Sequence, residues 1–274
     1  MMLLDLACAD CIIEQVDKEG EKTFDGTSIP TPFEQVNNNG IYEFTCLKGH
    51  KAKTVIDNVH FEILFEYGLN AIVDGYYRES VSSLTSAMER YFEFFIKTTL
   101  RTSKIDFELI NKSWKKISNQ SERQLGAYIM LYLQAFREEP LLLNPNSEIP
   151  FRNKVIHKGY IPTKEETIKF ANSVMKIIEE SLLKLKSKYP NEIFETFDHY
   201  GYKKKAKEDI EKSEKESGIE QSIMLVNIMT TIDVKNGREK NPKDGRKGKV
   251  EERIINIKER REPRSLILLK DKTK

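Results

Sequence analysis

The sequence predicts a mainly α protein whose centre is a bundle of four or five helices. Apolar residues recur at a period close to 3.6 in several long stretches between residues 55 and 190, as in amphipathic helices. No alternation of strands and helices and no glycine-rich phosphate loop occurs in this region. The composition changes on either side of it. We therefore expect three parts: a small unit over 1–54, the bundle over 55–190 and a charged C-terminal extension over 191–274.

The first part is rich in loop-forming residues, and one short strand is predicted in it. Its segments KEGEK, DGTSIPTP and NNNG are dense in Gly, Pro, Asn, Asp and charged residues. The alternating run IYEFT at 41–45 predicts a strand. A unit of about 50 residues with so small a hydrophobic core needs an additional cross-link.

All three cysteines of the chain lie in this first part, in a pattern typical of metal ligands. Cys8 and Cys11 form a C-x2-C pair, and Cys46 forms a C-x3-H pair with His50. Zn²⁺ prefers four thiolate or imidazole ligands in a tetrahedron, which two such pairs supply. We therefore predict a small β zinc ribbon with one structural Zn²⁺ ion, closed by four protein ligands. The alternative is three ordinary buried cysteines and a surface histidine.

Three helices are predicted at the start of the bundle, over 59–73, 78–100 and 121–136. Ser121 is expected to be the N-cap of the third helix. Four aromatic residues in the second helix are expected to lie in the core or at a dimer interface: Tyr91, Phe92, Phe94 and Phe95.

A loop and two further helices complete the predicted bundle. The segment 140–150 contains three prolines and is expected to be a loop, followed by a short helix around 151–157. The clearest helix is predicted over 164–188, because Thr163 and Glu166 form a capping box and an apolar stripe follows them.

The third part holds the basic excess of the chain. Residues 201–274 carry a net charge of +7, whereas residues 1–200 carry −5. A basic segment on a near-neutral body favours a polyanionic partner, and a solvated tail is the alternative. Within this part we expect an exposed helix or a linker over 201–217, a strand or buried helix end over 222–234, a mobile basic loop that adds affinity for a polyanion over 235–250, and a strand or short helix over 254–269.

The most specific chemical signal is the segment FRNKVIHKG at 151–159. It places the guanidinium of Arg152, the amide of Asn153 and the imidazole of His157 close together in the sequence. These groups suit cleavage of a phosphodiester. A histidine can take or give a proton near neutral pH, an arginine can hold a phosphate, and an asparagine can orient either group.

The alternative interpretation of this segment is structural. In this interpretation, Arg152 pairs with a carboxylate, and His157 is a structural residue whose hydrogen bonds are made within the protein. Three carboxylates on the 78–100 helix could pair with the arginine: Glu79, Glu89 and Glu93.

The motif Arg-Asn-x3-His after a loop, within an antiparallel helical bundle, resembles the HEPN superfamily (higher eukaryotes and prokaryotes nucleotide-binding). Its hallmark is an arginine, often a polar residue, and a histidine after four to six intervening positions. Four residues separate Arg152 from His157 here, and Asn153 is the polar residue. The segment 75–91 also resembles the first long helix of such proteins, so the resemblance covers roughly residues 59–188.

The resemblance implies a metal-independent endoribonuclease of a toxin–antitoxin or antiviral defence system. Such proteins usually act as homodimers that bring two Arg–His motifs to one cleft, and some members of the family only bind. The residues for which the resemblance implies a catalytic role are Arg152, Asn153 and His157.

We therefore expect an endoribonuclease that cleaves RNA by attack of the 2′-hydroxyl and needs no metal for catalysis. The alternative is a non-catalytic, zinc-containing helical module that binds RNA, a nucleotide or a protein partner. Expected partners are RNA, a second copy of the chain and a protein regulator.

No apolar run approaches about 18 residues and the start lacks a basic region, which predicts no membrane span and no secretory signal. With three cysteines, too few for a disulfide framework, a cytoplasmic location is expected.

Overall fold

The computed structural model describes residues 2–6, 8–19, 33–217, 223–226, 230–235 and 249–259. Most of these residues are helical, so the predicted mainly α class is confirmed. The strands are β1 (Leu3–Asp5), β2 (Phe33–Gln35), β3 (Ile41–Thr45), β4 (Lys51–Ile56) and β5 (Ile223–Val226). The helices are α1 (Ala9–Glu19), α2 (His60–Val73), α3 (Tyr77–Arg101), α4 (Phe107–Trp114), α5 (Ser121–Phe136), α6 (Glu148–Lys158), α7 (Lys164–Lys188), α8 (Pro190–Tyr200), α9 (Tyr202–Ser217) and α10 (residues 250–259).

The chain folds into two compact units, and each is made from two separate stretches of sequence. The strand-containing unit comprises Met1–Val59 and Phe197–Met229. The helical unit comprises His60–Thr196 and Thr230–Lys274. The residues predicted to form a C-terminal extension are therefore divided between the two units.

The strand-containing unit holds two small sheets. In the first, β1 pairs antiparallel with β2. In the second, β3 and β4 form an antiparallel hairpin in which Ile41 lies opposite Val55, and β5 joins β4 in parallel. The strand predicted at 41–45 is confirmed with the same bounds. The helix α1 begins directly after Cys8 and contains Cys11, so this unit is not the purely β ribbon that the cysteine spacing predicts.

The helix α9 packs against the second sheet through two close contacts. Gly40 has a φ of +66°, and a Cβ there would lie 2.5 Å from a ring carbon of Tyr202. Buried Ala206 packs against Val55 of β4. The charged segment that begins at residue 201 is therefore a helix anchored through its first turns, and not a linker.

The other predictions for the last part of the chain have mixed outcomes. The expected strand or helix end at 222–234 is a strand over Ile223–Val226. Of the expected strand or short helix at 254–269, residues 254–259 are helical as part of α10, and residues 260–269 lie outside the described residues. The expected basic loop at 235–250 falls almost entirely on residues 236–248, which lie outside the described residues.

The helical unit has an aromatic core centred on α3. The four aromatic residues of the predicted cluster are all buried in it: Tyr91, Phe92, Phe94 and Phe95. Phe92 stacks on Tyr128 of α5, with ring centroids 4.2 Å apart. The Tyr91 hydroxyl donates a hydrogen bond of 2.6 Å to Ser181 of α7. The cluster therefore joins three helices of one core.

The structure confirms one of the two predicted N-terminal capping signals and contradicts the other. The capping box of α7 is confirmed: the Glu166 N–H donates to Thr163 Oγ1, and the Thr163 N–H donates to the Glu166 carboxylate. The expected N-cap of α5 is wrong, because Gln120 occupies that position and Ser121 is already helical. The Ser121 hydroxyl instead contacts the carboxylate of Glu122.

Two buried carboxylates of α2 hold the segment 230–235. Glu66 Oε2 accepts hydrogen bonds of 3.0 Å from both the backbone N–H and the hydroxyl of Thr231. Glu62 Oε1 accepts a hydrogen bond of 2.6 Å from the N–H of Val234. Because a buried carboxylate is costly without donors, this segment is an integral part of the helical unit.

The crossing of α2 and α3 depends on the absence of a side chain at Gly68. A Cβ there would lie 2.7 Å from Cγ of Leu84, which is fully buried. We expect Gly68→Ala to destabilise the protein by about 1–3 kcal/mol, as overpacking does. The measurement is urea unfolding. The matched control is Gly126→Ala on α5, where a Cβ meets nothing within 4 Å. It should be neutral or stabilising by up to about 1 kcal/mol, and equal effects of the two changes would contradict the prediction.

Candidate functional site

The first pair of predicted metal ligands lies at the N-terminus of α1. The carbonyl of Cys8 accepts a hydrogen bond of 3.2 Å from the N–H of Ile12, so Cys8 is the last residue before the helix. Cys11 lies in the first turn. Both residues therefore lie at the N-terminal end of α1.

The second pair lies in the turn that joins β3 to β4. The N–H of Cys46 donates to the carbonyl of His50, and the N–H of Gly49 donates to the carbonyl of Cys46, both over 2.9 Å. Gly49 has a φ of +87°, which most other residues rarely adopt. We call residues 46–50 the knuckle. Its hydrogen bonds fix both ligand side chains on one tight turn.

The structure brings all four predicted ligands together. The sulfurs of Cys8, Cys11 and Cys46 and a ring nitrogen of His50 lie within 4.8 Å of one another. Cys11 Sγ is 3.6 Å from Cys46 Sγ and 3.4 Å from His50 Nδ1, and Cys8 Sγ is 3.8 Å from the same nitrogen. With Zn–S bonds of about 2.3 Å and Zn–N bonds of about 2.0–2.1 Å, the edges of a tetrahedron are about 3.5–3.8 Å. This cluster could therefore bind a metal ion.

The surroundings of the cluster favour a cation. The three cysteines are reduced and buried, with Phe44 and Ala52 packed against them. Burial, followed by hydrogen bonds with neighbouring thiols, raises the pKa of Cys11 to about 12. At Cys46 burial also raises the pKa, but hydrogen bonds from the knuckle backbone, followed by those from the neighbouring thiols, together outweigh it and lower the pKa to about 7. A divalent cation would allow all three thiols to ionise, since metal binding displaces their protons.

The structure adds a residue near the cluster that the spacing of cysteines does not identify. Glu14 Oε1 lies 3.1 Å from His50 Nε2, and its other oxygen lies 2.9 Å from Lys48 Nζ. The only sequence signal for it is its place three residues after Cys11, on the same face of a helix.

The second candidate site is on α6, and α3 positions its arginine. The short helix expected around 151–157 is confirmed, and it begins three residues earlier, with Pro150 in its first turn. Arg152 Nη2 lies 3.1 Å from Glu89 Oε1, and Arg152 Nη1 donates a hydrogen bond of 3.0 Å to Asn153 Oδ1. Of the three carboxylates considered for this pairing, Glu89 is the partner. Glu93 instead pairs with two cations of its own helix.

His157 lies in the last turn of α6, just before the left-handed residue Gly159. Its side chain is exposed, and among the described residues no hydrogen bond or ion pair joins it to Arg152 or to another side chain. His157 is the fifth residue after Arg152 in the helix, so the two side chains point about 140° apart around the helix axis. The structure therefore joins Arg152 to Asn153 but does not bring His157 to them.

None of the helices in the described part of the chain combines the length and the hydropathy of a membrane span. Comparisons with models of protein families, with curated proteins and with solved structures find no match to this chain.

Proposed function

We propose that this protein is a metal-independent endoribonuclease of the HEPN type, in which α6 carries the catalytic groups Arg152, Asn153 and His157. The observation that supports this most is the exposure of two side chains on α6. The Arg152 guanidinium is held in a partly exposed position by Glu89, and the His157 imidazole is open to solvent. A buried histidine packed against apolar side chains would have favoured a structural role.

Arg152 retains the donors that a phosphate needs. A guanidinium carries five N–H donors, and the hydrogen bonds to Glu89 and Asn153 use two of them. The remaining donors can stabilise charge on the phosphate in the transition state. Because Asn153 accepts through Oδ1, its own N–H groups are left to position a phosphate oxygen.

In the proposed reaction, the 2′-hydroxyl of RNA attacks the adjacent phosphorus and the 5′-oxygen of the next nucleotide leaves. His157 takes the proton from the 2′-hydroxyl or gives one to the leaving oxygen. The products are a 2′,3′-cyclic phosphate and a 5′-hydroxyl. The nucleophile belongs to the substrate, so the reaction needs no metal.

A second copy of the chain would supply the other half of the acid–base pair. The helix α6 of one chain offers one histidine, whereas the reaction uses both a base and an acid. The angle of about 140° between Arg152 and His157 on α6 also favours a cleft shared by two copies, in which groups of both chains meet one phosphate. We propose a homodimer for this reason, with a protein regulator as a further partner.

We propose that the cluster of Cys8, Cys11, Cys46 and His50 holds one Zn²⁺ ion with a structural role. Four protein ligands would complete a tetrahedron around the ion and leave no position for a reacting water. The ion would fasten α1 to the knuckle in a unit with a small core.

One observation favours the second candidate function, a non-catalytic module that binds RNA, a nucleotide or a protein. The carboxylate of Glu89 offsets the charge of Arg152, which weakens its stabilisation of the negative charge that develops on a phosphate in the transition state. A module of this kind would bind through the same surface without cutting.

The test is cleavage of RNA by the full chain in the presence of EDTA, added immediately before the substrate so that the proposed zinc site is not depleted. We expect products that end in a 2′,3′-cyclic phosphate and a 5′-hydroxyl, and we expect a DNA strand of the same sequence to be bound and left intact. If RNA is bound and never cut, the binding module replaces the ribonuclease.

A further inference from the structure

We propose that Glu14 is a positioning residue of the metal centre, whose carboxylate orients the imidazole of His50 toward the metal. The inference rests on the proposed zinc site. It assigns a fifth side chain to a centre that the cysteine and histidine pattern describes with four.

The geometry of the His50 ring carries the inference. Nε2 lies 3.1 Å from Glu14 Oε1, while Nδ1, on the other side of the ring, lies 3.4 Å from Cys11 Sγ. An ionised carboxylate can only accept a hydrogen bond, so Nε2 carries the hydrogen and Nδ1 offers its lone pair to the metal. Carboxylates hold metal-binding histidines in this way in many metal centres.

The helix α1 supplies a ligand and the positioning group together. Cys11 and Glu14 are three residues apart and therefore lie on one face of the helix. The knuckle supplies the other two predicted ligands, Cys46 and His50. The contact between Glu14 and His50 thus adds a second link between helix and knuckle, outside the coordination sphere.

The charges around the carboxylate indicate that orientation is its main contribution. Three thiolates and a neutral imidazole around Zn²⁺ leave one net negative charge, and Glu14 would add another. Lys48 offsets it, because its Nζ lies 2.9 Å from Glu14 Oε2. Both side chains are more than two-fifths exposed, so solvent also screens this charge.

The experiment compares the zinc affinity of the parent with Glu14→Leu and Glu14→Gln, using competition with a chromophoric chelator. The leucine variant cannot accept a hydrogen bond and should bind Zn²⁺ about 10–100-fold more weakly. The glutamine variant retains an acceptor oxygen and should recover most of that loss. The matched control is Glu43→Gln, which removes a carboxylate paired with Lys53 at 2.6 Å in the same unit and should leave zinc affinity unchanged.

A nitrogen-15 spectrum of the His50 ring separates positioning from a merely structural role. In the zinc-loaded parent and the glutamine variant we expect a protonated Nε2 and a metal-bound Nδ1. In Glu14→Leu we expect the His50 ring no longer to be held in this one state, with Nε2 protonated and Nδ1 bound to the metal. A leucine variant that keeps the parent's zinc affinity and ring spectrum would overturn the role of Glu14 and leave the zinc site intact. A parent that binds no Zn²⁺ would overturn both.

Discussion

Replacing His157 with alanine is expected to lower the rate of RNA cleavage by roughly 10²–10⁴-fold, the usual contribution of a positioned acid or base. The side chain is exposed and lies in the last turn of α6, so its removal should leave the fold unchanged. The measurement is the single-turnover cleavage rate of purified variant and parent, with circular dichroism and dimer mass as checks on the fold.

His60→Ala is the matched control for this change. His60 is an exposed histidine at the first position of α2 in the same unit, and its removal should leave the rate unchanged. A second single variant, Arg152→Ala, should lower the cleavage rate by roughly 10²–10³-fold relative to the parent, because stabilisation of the transition state is lost. A folded, dimeric His157→Ala protein that cleaves RNA at the parent's rate would refute the catalytic role of α6.

Replacing Cys46 with serine is expected to release the metal and to unfold much of the strand-containing unit. In small zinc domains, metal binding contributes roughly 10–16 kcal/mol to the folded state, so losing one of four ligands removes a large part of the unit's stability. Elemental analysis should find about one zinc per parent chain and little in the variant. Proteolysis should then cut within residues 1–59 and spare the helical unit.

His50→Cys is the control that keeps four ligands. Structural zinc sites are built from four cysteines as well as from three cysteines and one histidine, so this variant should retain the ion and the protection from protease. Zinc content that does not fall in Cys46→Ser would show that the cluster is not the binding site. Full loss of protection in His50→Cys would show that the histidine ring acts through packing and not through coordination.

Local signals predicted much of the fold, because some elements depend mainly on their own residues. The capping box at Thr163 and Glu166 marks the start of α7, and alternation marks β3 with its observed bounds. The four residues that lie together and could bind a metal ion were predicted from their spacing, since soft ligands in two close pairs have few other uses.

Other features were missed because their signals are weak or belong to distant residues. The helix α4 begins after Asp106, an N-cap that precedes only eight helical residues. The helix α8 begins at Pro190, which ends one helix and is equally suited to the first position of the next. The pairing of β5 with β4 joins residues about 170 positions apart, such as Lys53 and Ile223, which no local pattern reveals.

The division of each unit between two stretches of sequence has a consequence for how the chain folds during synthesis. The buried carboxylates Glu62 and Glu66 receive their donors only when Thr231 and Val234 have been made. The strand β4 likewise gains its parallel partner only when β5 has been made. Domains usually fold in order as they leave the ribosome, but neither unit here is complete until about the last fifth of the chain has emerged. A chain that stops before residue 223 would therefore leave both units unfinished, with the carboxylates of Glu62 and Glu66 lacking these donors and β4 lacking its parallel partner.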